Sequence, residues 1–291
     1  MPIVEIESLR NAEERERALE GGAILLFRDP PFAIPEADRA FLLAQRQSGG
    51  RFHKNIAYRP ARDRVTGFAG GRQDRERLRR VLADYSRASL DTLGRVLPDY
   101  APSWRVDYAS FRPIEEEGRE LPPKARKDRI HVDAFPTRPT NGDRILRFFS
   151  NIHPDKAREW MSGGTFDRLA GRYAVDSGLL AEARRARPSL SSRLLRAAGA
   201  RRDLPSAYDR FMLRFHDYLK ESAELHASSE REFLRFAPGA TWIVLTDMVS
   251  HAVLSGRFAL EQTVILARGS LRAPDLAPIA ILERLAGERL A

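Results

Sequence analysis

The sequence contains no cysteine among its 291 residues. Disulfide bonds, a catalytic thiol and a cysteine-based zinc site are therefore excluded, and the absence suits a reducing compartment. Any metal ion that this chain binds must be held by histidine and carboxylate side chains. Because the chain has only six histidines, the candidate imidazole ligands form a short set.

Long hydrophobic runs are also missing. The longest aliphatic stretches, such as residues 23–27, are too short for a signal-peptide core or a membrane span. The N-terminal sequence MPIVEIESLRNAEERERALE becomes charged almost at once. We also find no internal repeat and no low-complexity segment. These absences predict a protein that is made and kept in the cytoplasm.

Basic residues exceed acidic ones by 49 to 40, which gives a net charge of +9 and a pI near 10.2. This excess predicts anionic partners: nucleic acid, a phospholipid surface or an acidic small substrate. The segment from Leu180 to Arg202 concentrates the charge, with seven arginines against the single acidic residue Glu182. Its composition is typical of contact with a membrane surface or another polyanion, and a solvated helix face explains it equally well.

Strand-like and helix-like patterns divide the chain into parts of one α+β domain. A chain of 291 residues is long enough to bury a hydrophobic core. We predict a mixed α/β flank over residues 1–102, in which apolar spacing after Gly71 indicates a long basic helix. A β-core is predicted over residues 103–154 and 232–268, with a helical insertion over residues 155–231. Strands on both sides of a helical block favour one antiparallel barrel or sandwich, with the insertion packed outside it or over its mouth.

Residues 129–151 carry the strongest chemical pattern in the chain. His131 and Asp133 lie two positions apart in an apolar run, and residues i and i+2 of a β-strand point to the same face. Proline, asparagine and glycine then supply turn residues before a second strand-like run over residues 144–151. The pattern predicts a hairpin that carries a pair of metal ligands.

A third ligand must come from elsewhere, because two side chains do not make a stable metal site. His251 is the best candidate, since it lies just beyond an apolar strand and a barrel would return it to the pair. The other histidines have simpler explanations: His153 belongs to a turn before a helix capped by Asp155, and His216 and His226 occupy a surface or groove-lining helix. Two histidines and one carboxylate form the facial triad of non-haem Fe(II) oxygenases, although manganese or zinc cupin-like enzymes use similar residues.

Several short motifs add a resemblance to this pattern. They are SFRP, RIHVDAFPTRPT, RILRFFSNIHP, REW, TDMVSHA and LEQT. Together they resemble the bacterial Kdo hydroxylases, Fe(II)- and 2-oxoglutarate-dependent oxygenases that act on the acidic sugar Kdo of lipopolysaccharide. The resemblance runs from about Ser103 to the C-terminal sequence AILERLAG.

The resemblance implies a double-stranded β-helix of the jelly-roll or cupin-like type, with flanking helices and a helical insertion. It also implies that His131, Asp133 and His251 hold Fe(II). 2-Oxoglutarate and O2 would then act as co-substrates at the open coordination positions, where the cofactor supplies the chemistry and the protein supplies orientation and charge.

The far carboxylate of 2-oxoglutarate needs a cationic anchor. Arginine suits this role because its planar guanidinium binds a carboxylate through two parallel hydrogen bonds. The positions about ten residues after His251, where many relatives carry the anchor, hold no arginine. Other relatives carry the anchor on the strand that follows the His-x-Asp strand, so the resemblance implies Arg147, with Asn151 on the same strand face and Arg257 as a lower-ranked substitute. Arg112 and Arg158 are predicted to bind the substrate carboxylate or a neighbouring phosphate.

The leading hypothesis is an oxygenase that hydroxylates Kdo within a lipid A-linked precursor, at the cytoplasmic face of a membrane whose anionic surface attracts the basic chain. One alternative is a non-catalytic module that binds nucleic acid or anionic lipid through its arginines, although no nucleic-acid motif is recognisable. The other alternative is an oxygenase of the same fold with a different acidic substrate.

Overall fold

Strands dominate both ends of the chain in the computed structural model, which describes residues 2–48, 55–115, 122, 124, 126–186 and 205–291. The strands are β1 (Ile3–Glu5), β2 (Ile24–Phe27), β3 (Arg46–Gln47), β4 (Ile56–Arg59), β5 (Arg64–Thr66), β6 (Phe68–Ala69), β7 (Arg105–Arg112), β8 (Arg144–Asn151), β9 (Arg158–Ser162), β10 (Glu232–Phe236), β11 (Thr241–Leu245), β12 (Ala252–Ser255) and β13 (Ala259–Leu266). The helices are α1 (Ala12–Glu20), α2 (Glu36–Leu43), α3 (Arg72–Val96), α4 (Phe166–Tyr173), α5 (Leu179–Ala186), α6 (Ala207–Glu221), α7 (Ala223–Ala227) and α8 (Pro278–Ala286).

The larger sheet has eight strands in the order β1-β2-β11-β8-β13-β7-β4-β5. Because β2 pairs with β11 and β4 pairs with β7, strands from the first hundred residues extend the sheet at both edges. The predicted boundary between a flank over residues 1–102 and a core from residue 103 is therefore wrong. An apolar strand such as β2 buries its side chains and satisfies its backbone groups best as a member of the main sheet.

A smaller sheet has the order β10-β9-β12. The predicted helical insertion is wrong over residues 158–162, which form β9, and Asp155 does not cap a helix there. β9 pairs with β10 on one edge and β12 on the other, so its backbone hydrogen bonds are made within the sheet. Burial of Trp160 at the centre of the sheet outweighs the local helix preference of the sequence.

The two sheets pack against each other around an aromatic interior. In β11, Trp242 and Val244 join the cluster between the sheets, whereas Ile243 and Leu245 join the cluster that packs against the helices. The rings of Phe236 and Trp242 stack across the sheets with centroids 3.9 Å apart. This sandwich confirms the predicted α+β jelly-roll core.

The long helix α3 lies against the outer face of the larger sheet. Its apolar stripe, which includes Leu78, Val81 and Leu82, is buried as the spacing predicted. Tyr85 on the same face lies 3.3 Å from the hydroxyl of Ser150 in β8. The helix therefore covers one side of the sheet and leaves the other side for the interior of the jelly roll.

The basic segment from Leu180 to Arg202 is only partly described. α5 covers its start, and residues 187–202 lie outside the described residues, so the predicted contact with a polyanion stays a prediction. Within the described ranges, no helix combines the length and the apolar composition that crossing a membrane requires.

Candidate metal centre

Residues 130–133 are extended but form no regular strand, and a single bridge pairs His131 with His251. The two backbones exchange hydrogen bonds of 3.1 and 2.8 Å, and the Asp133 N–H donates to the Thr246 oxygen at 2.8 Å. The predicted hairpin is wrong, because this segment pairs with the connection after β11 instead of with β8. The extended backbone nevertheless keeps His131 and Asp133 close together, as their spacing predicted.

His131, Asp133 and His251 form a buried group of possible metal ligands. One ligand atom from each residue lies within 4.8 Å of the others, and His131 Nε2 is 4.0 Å from Asp133 Oδ1. Their exposed fractions are only 2%, 7% and 6%. The described part of the chain contains no other such group of histidine and acidic side chains.

Backbone hydrogen bonds fix the orientation of both imidazoles. His131 Nδ1 lies 2.8 Å from the Arg129 carbonyl oxygen, and His251 Nδ1 lies 3.0 Å from the Val249 carbonyl oxygen. Each Nδ1 must carry the proton to donate to a carbonyl, so each Nε2 keeps a lone pair for a metal ion. The donor set fits a divalent transition metal, since two imidazoles and one carboxylate offer ligand atoms within 4.8 Å of one another.

Burial and neighbouring charge set the protonation of this group. Burial lowers the pKa of both His131 and His251, so the two imidazoles are neutral at physiological pH. Burial alone would raise the pKa of Asp133, but the positive charge of Arg147, together with smaller contributions that include Lys127 and the Thr246 side chain, holds that pKa below its ordinary range. Two neutral imidazoles and one carboxylate are the protonation states that metal binding requires.

Arg147 lies beside the group, on the inner face of β8. Its Nε is 2.9 Å from Asp133 Oδ2, and its Nη1 is 2.8 Å from Glu261 Oε2. These two carboxylates raise the pKa of Arg147 against the effect of burial. Arg147, the predicted anchor for 2-oxoglutarate, therefore lies against the predicted ligand Asp133, and two carboxylates already compensate its charge.

Asn151 does not fit the predicted role in binding the co-substrate. Its amide nitrogen lies within hydrogen-bond distance of the backbone oxygens of Lys156, Phe236 and Ala237, and its side-chain oxygen accepts from the His153 N–H. Both ends of the amide are therefore occupied by the backbone. Asn151 orders the turn after β8, which is a structural role. The prediction that it binds the co-substrate is therefore wrong.

Arg112 and Arg158 lie on opposite sheets of the interior. The Arg112 guanidinium donates to Asn55 Oδ1 at 2.5 Å from the end of β7, and Arg158 in β9 donates to the backbone oxygen of Gly256. Arg158 is 4% exposed, and its Nε is buried without a hydrogen bond among the described residues. Burial lowers the pKa of Arg158 to about 10, and Glu261 partly opposes this effect. Arg158 therefore remains a cation at neutral pH.

Comparison with known proteins connects this geometry to a family. The family model described as 3-deoxy-D-manno-oct-2-ulosonic acid (Kdo) hydroxylase matches residues 5–289. The chain belongs to the Kdo hydroxylase family. The family match includes nearly all of the first hundred residues, which the motifs of the sequence had left outside the resemblance.

Solved structures of a Kdo hydroxylase, KdoO, described as a non-haem Fe(II) α-ketoglutarate-dependent dioxygenase, share the fold. The complex with α-ketoglutarate and Fe(III) is 32% identical, with a TM-score of 0.81, over 98% of this chain and 92% of that chain. The cobalt(II) complex is 34% identical, with a TM-score of 0.83 over the same shares, and the apo structure is 32% identical, with a TM-score of 0.82, over 100% and 96%. No curated protein sequence matches this member of the family.

Three further residues lie near the ligands but were not assigned to the site from the sequence. Trp160 stacks on His251 with ring centroids 5.0 Å apart, and His216 in α6 contacts His131 edge-on at 4.7 Å instead of lining an outer groove. Glu261 pairs with Arg147 from β13. The sequence of β13 gave little sign that Glu261 points into the interior, because the polar residues Gln262 and Thr263 follow it directly.

Proposed function

We propose that this chain hydroxylates Kdo with Fe(II), 2-oxoglutarate and O2, and that His131, Asp133 and His251 hold the iron. The observation that supports the proposal most strongly is the buried three-residue group in a chain that matches the Kdo hydroxylase family over residues 5–289. Two imidazoles and one carboxylate leave coordination positions open for a co-substrate and O2. A binding module without catalysis would not require such a group.

The chain's own residues prepare the site before any ligand arrives. The Arg129 and Val249 carbonyls hold the imidazole rings with Nε2 unprotonated, and Arg147 keeps Asp133 ionised. When bound, iron, 2-oxoglutarate and O2 would supply the oxidising chemistry: 2-oxoglutarate would become succinate and CO2 with one oxygen atom of O2, and the other oxygen atom would enter a C–H bond of the sugar. Buried walls exclude water from this reaction.

We further propose that Arg158 is the principal anchor for the far carboxylate of 2-oxoglutarate, with Arg147 and Arg112 beside it. The Nε of Arg158 and the indole Nε1 of Trp160 are buried donors without partners among the described residues, and the two side chains share one face of β9. A buried donor of this kind is costly unless it binds an acceptor. A carboxylate of 2-oxoglutarate would give Arg158 such an acceptor, whereas Arg147 is already paired with Asp133 and Glu261.

Charge balance in the interior supports a dianionic co-substrate. The carboxylates of Asp133 and Glu261, together with Glu115, act on the arginines of the interior and offset their charge. A divalent metal ion adds two positive charges to a site from which water is largely excluded. Because buried charges are stable only when they are compensated, the two carboxylates of 2-oxoglutarate complete the site.

The finer proposal concerns the substrate and its location. We infer that the Kdo is carried by a lipid A-linked precursor and that the enzyme meets it as a peripheral protein at the cytoplasmic face of the membrane. The net charge of +9 supports attraction to an anionic surface. The site suits an acidic sugar because the interior arginines can bind a second carboxylate, that of Kdo, besides the far carboxylate of 2-oxoglutarate.

Turnover tests the proposal. Aerobic incubation with Fe(II), 2-oxoglutarate and a Kdo-bearing lipid A precursor should add one oxygen atom to the sugar, measured by mass spectrometry. The H131A and D133A variants should lose iron binding and turnover while keeping the native circular dichroism spectrum. His226 hydrogen-bonds with the Leu219 carbonyl and is not a member of the group, so H226A is the matched control and should retain both.

The outcomes separate the hypotheses. If the iron-loaded wild type leaves Kdo unchanged and consumes no 2-oxoglutarate, the proposed function is wrong. Consumption of 2-oxoglutarate driven by another acidic substrate would identify a same-fold oxygenase with a different specificity. Turnover that survives in H131A or D133A would contradict the proposed ligands.

A further inference from the structure

A groove of about 760 Å³ opens at the end of the larger sheet where β7 and β8 begin and β13 ends. One wall is the loop over residues 137–141, and the other is formed by the strand ends at residues 105–107 and 265–268. The loop is fixed, because Asp209 Oδ1 accepts hydrogen bonds from two consecutive backbone N–H groups of it at 2.8 and 3.1 Å. The groove is therefore preformed, and its volume lies within the roughly 300–1,000 Å³ typical of ligand sites.

Phe135 connects this groove to the metal-ligand group. The guanidinium of Arg138, which lines the groove, lies 4.0 Å from the centroid of the Phe135 ring, and the guanidinium of Arg147 lies 5.7 Å from the same centroid. Arg147 in turn pairs with Asp133. One aromatic ring therefore separates the inner end of the groove from the proposed iron ligands.

The walls of the groove carry guanidinium and carboxylate groups side by side. Arg138 pairs with Asp107, and Arg105 lies 3.2 Å from Asp143. Guanidinium groups bind carboxylates and phosphates, whereas aspartates accept hydrogen bonds from sugar hydroxyls. Arg268 adds a further cation to the lining, so the arginines exceed the carboxylates. This mixture of donors and acceptors suits a hydroxylated anion.

Apolar surface completes the lining. Val106 is 40% exposed and lies in the groove between Arg105 and Asp107. The aromatic ring of Tyr108, one residue further along β7, carries the Arg138 guanidinium at 4.3 Å. Apolar side chains with a few placed polar groups are the usual composition of sites for small ligands, and they suit the C–H faces of a sugar.

We propose that this groove binds the anionic carbohydrate to which the target Kdo is attached, so that the Kdo itself reaches past Phe135 to the metal. The inference rests on the proposed function and names a second part of its substrate site. The groove holds the sugar residues next to Kdo and leaves acyl chains outside. Binding there raises affinity for the complete head group without touching the co-substrate.

Two variants perturb the groove by different means. R105E reverses a wall charge on a side chain that is 62% exposed, and V106W fills the groove without changing its charge. The matched control is R235E on β10, whose side chain is 76% exposed and lies outside the groove. Because all three positions are exposed, the variants should fold as the wild type does.

The measurement is calorimetric titration of the cobalt(II)- and 2-oxoglutarate-loaded protein with a deacylated Kdo-bearing oligosaccharide. We expect R105E and V106W to bind it roughly tenfold or more weakly than the wild type and R235E do. The KM for 2-oxoglutarate and the affinity for cobalt(II) should stay unchanged. The KM for the intact Kdo-bearing glycolipid should rise by the same factor.

Equal affinity of R105E, V106W and wild type for the oligosaccharide would overturn the groove assignment, even if the enzyme hydroxylates Kdo normally. Binding of the acylated glycolipid alone, unaffected by V106W, would also overturn it and indicate recognition of the lipid. Failure of the proposed function is seen separately, as a wild type that binds the oligosaccharide in the groove but never oxidises it.

Discussion

Arg147 and Arg158 differ in how far their charges are already compensated. Arg147 lies within 2.9 Å of carboxylates from Asp133 and Glu261, whereas Arg158 donates to a backbone oxygen and keeps its buried Nε without a partner among the described residues. Arg158 remains charged at neutral pH despite burial. A ligand carboxylate should therefore bind Arg158 more favourably than Arg147.

Replacing Arg158 with glutamine tests this difference. R158Q removes the charge but keeps hydrogen-bonding capacity, and a hydrogen bond to a charged group contributes about 1.5–3 kcal/mol, so the KM for 2-oxoglutarate should rise about ten- to a hundredfold. Iron affinity should stay unchanged. The control is R235Q on the adjacent strand β10, whose exposed side chain should be dispensable. An unaltered KM in R158Q would remove Arg158 from the site.

At the level of single residues, local spacing carried much of the prediction. His131 and Asp133 converge because any extended backbone places i and i+2 on one side, even though no regular strand forms. His251 could be proposed only on the assumption that a barrel returns the chain. Trp160 and Asn151 show the limit, because their surroundings come from other strands and the sequence near them does not record those contacts.

A buried ion pair joins two elements that position the ligands. Arg144 at the start of β8 donates from Nε to Asp247 Oδ2 at 2.7 Å, and both side chains are almost fully buried. Asp247 follows Thr246, whose carbonyl accepts from the Asp133 N–H and whose N–H donates to Ile145. Burial raises the pKa of Asp247, and Arg144 opposes that shift. The pair therefore fixes the connection between β11 and His251.

Removing one partner of this pair should destabilise the fold more than replacing both partners with apolar side chains. D247A leaves the Arg144 charge buried without its partner and should reduce the free energy of unfolding by about 3–5 kcal/mol, measured in urea. The double variant R144M/D247L replaces both charges with apolar groups and should recover most of that loss. D247A should also weaken cobalt(II) binding. A single variant as stable as the wild type would show that the pair does not hold the connection.

The contact between α2 and α3 gives a stability effect that depends on pH. Arg80 and Arg77 donate hydrogen bonds to Asp38, and despite the opposing effect of burial they lower the pKa of that carboxyl. A lowered pKa in the folded state contributes stability above the unfolded-state pKa near 3.9, and this contribution is lost as the pH falls through the folded-state pKa.

The D38N variant tests this predicted loss of stability at low pH. Because both arginines are partly exposed, the variant should be less stable by only about 1 kcal/mol at pH 7. The difference in free energy of unfolding between wild type and D38N should begin to shrink below about pH 4, where the unfolded wild type takes up a proton on Asp38, and should disappear below the lowered folded-state pKa. A difference that stays constant from pH 7 to pH 3, or grows, would contradict the ionic origin of the contact.

Elements were predicted well where a pattern was long and local. The spacing of apolar residues identified α3, and the run over residues 144–151 identified β8. β9 was mistaken for a helix because five residues carry little periodicity and their pairing partners, β10 and β12, lie far along the chain. Tertiary pairing decided between strand and helix at that point.

At the scale of the whole molecule, the jelly roll places its chemistry between two unequal sheets. The larger sheet is widened by β1, β2, β4 and β5 from the N-terminal part of the chain, and α3 covers its outer face. The groove lies at the end of this sheet where β7 and β8 begin. Under the proposed function, substrate would approach from that end, where Arg105, Arg138 and Arg268 line the groove.

The global fold was predictable from the order of strand, helix and strand regions together with the family resemblance. The contribution of the first hundred residues was not, because β2 meets β11 across most of the chain and nothing in the short sequence of β2 specifies that partner. Strand pairings of this separation are set by the complete core. The division of the chain into flank, core and insertion therefore required the structure.

The central claim is that His131, Asp133 and His251 together hold the catalytic iron. Anomalous diffraction from anaerobically grown crystals loaded with Fe(II) tests it most directly, because it locates the metal independently of activity. We predict one strong peak at about 2.0–2.2 Å from Nε2 of His131, a carboxylate oxygen of Asp133 and Nε2 of His251. A peak elsewhere, or an iron site from which His251 is missing, would contradict the account.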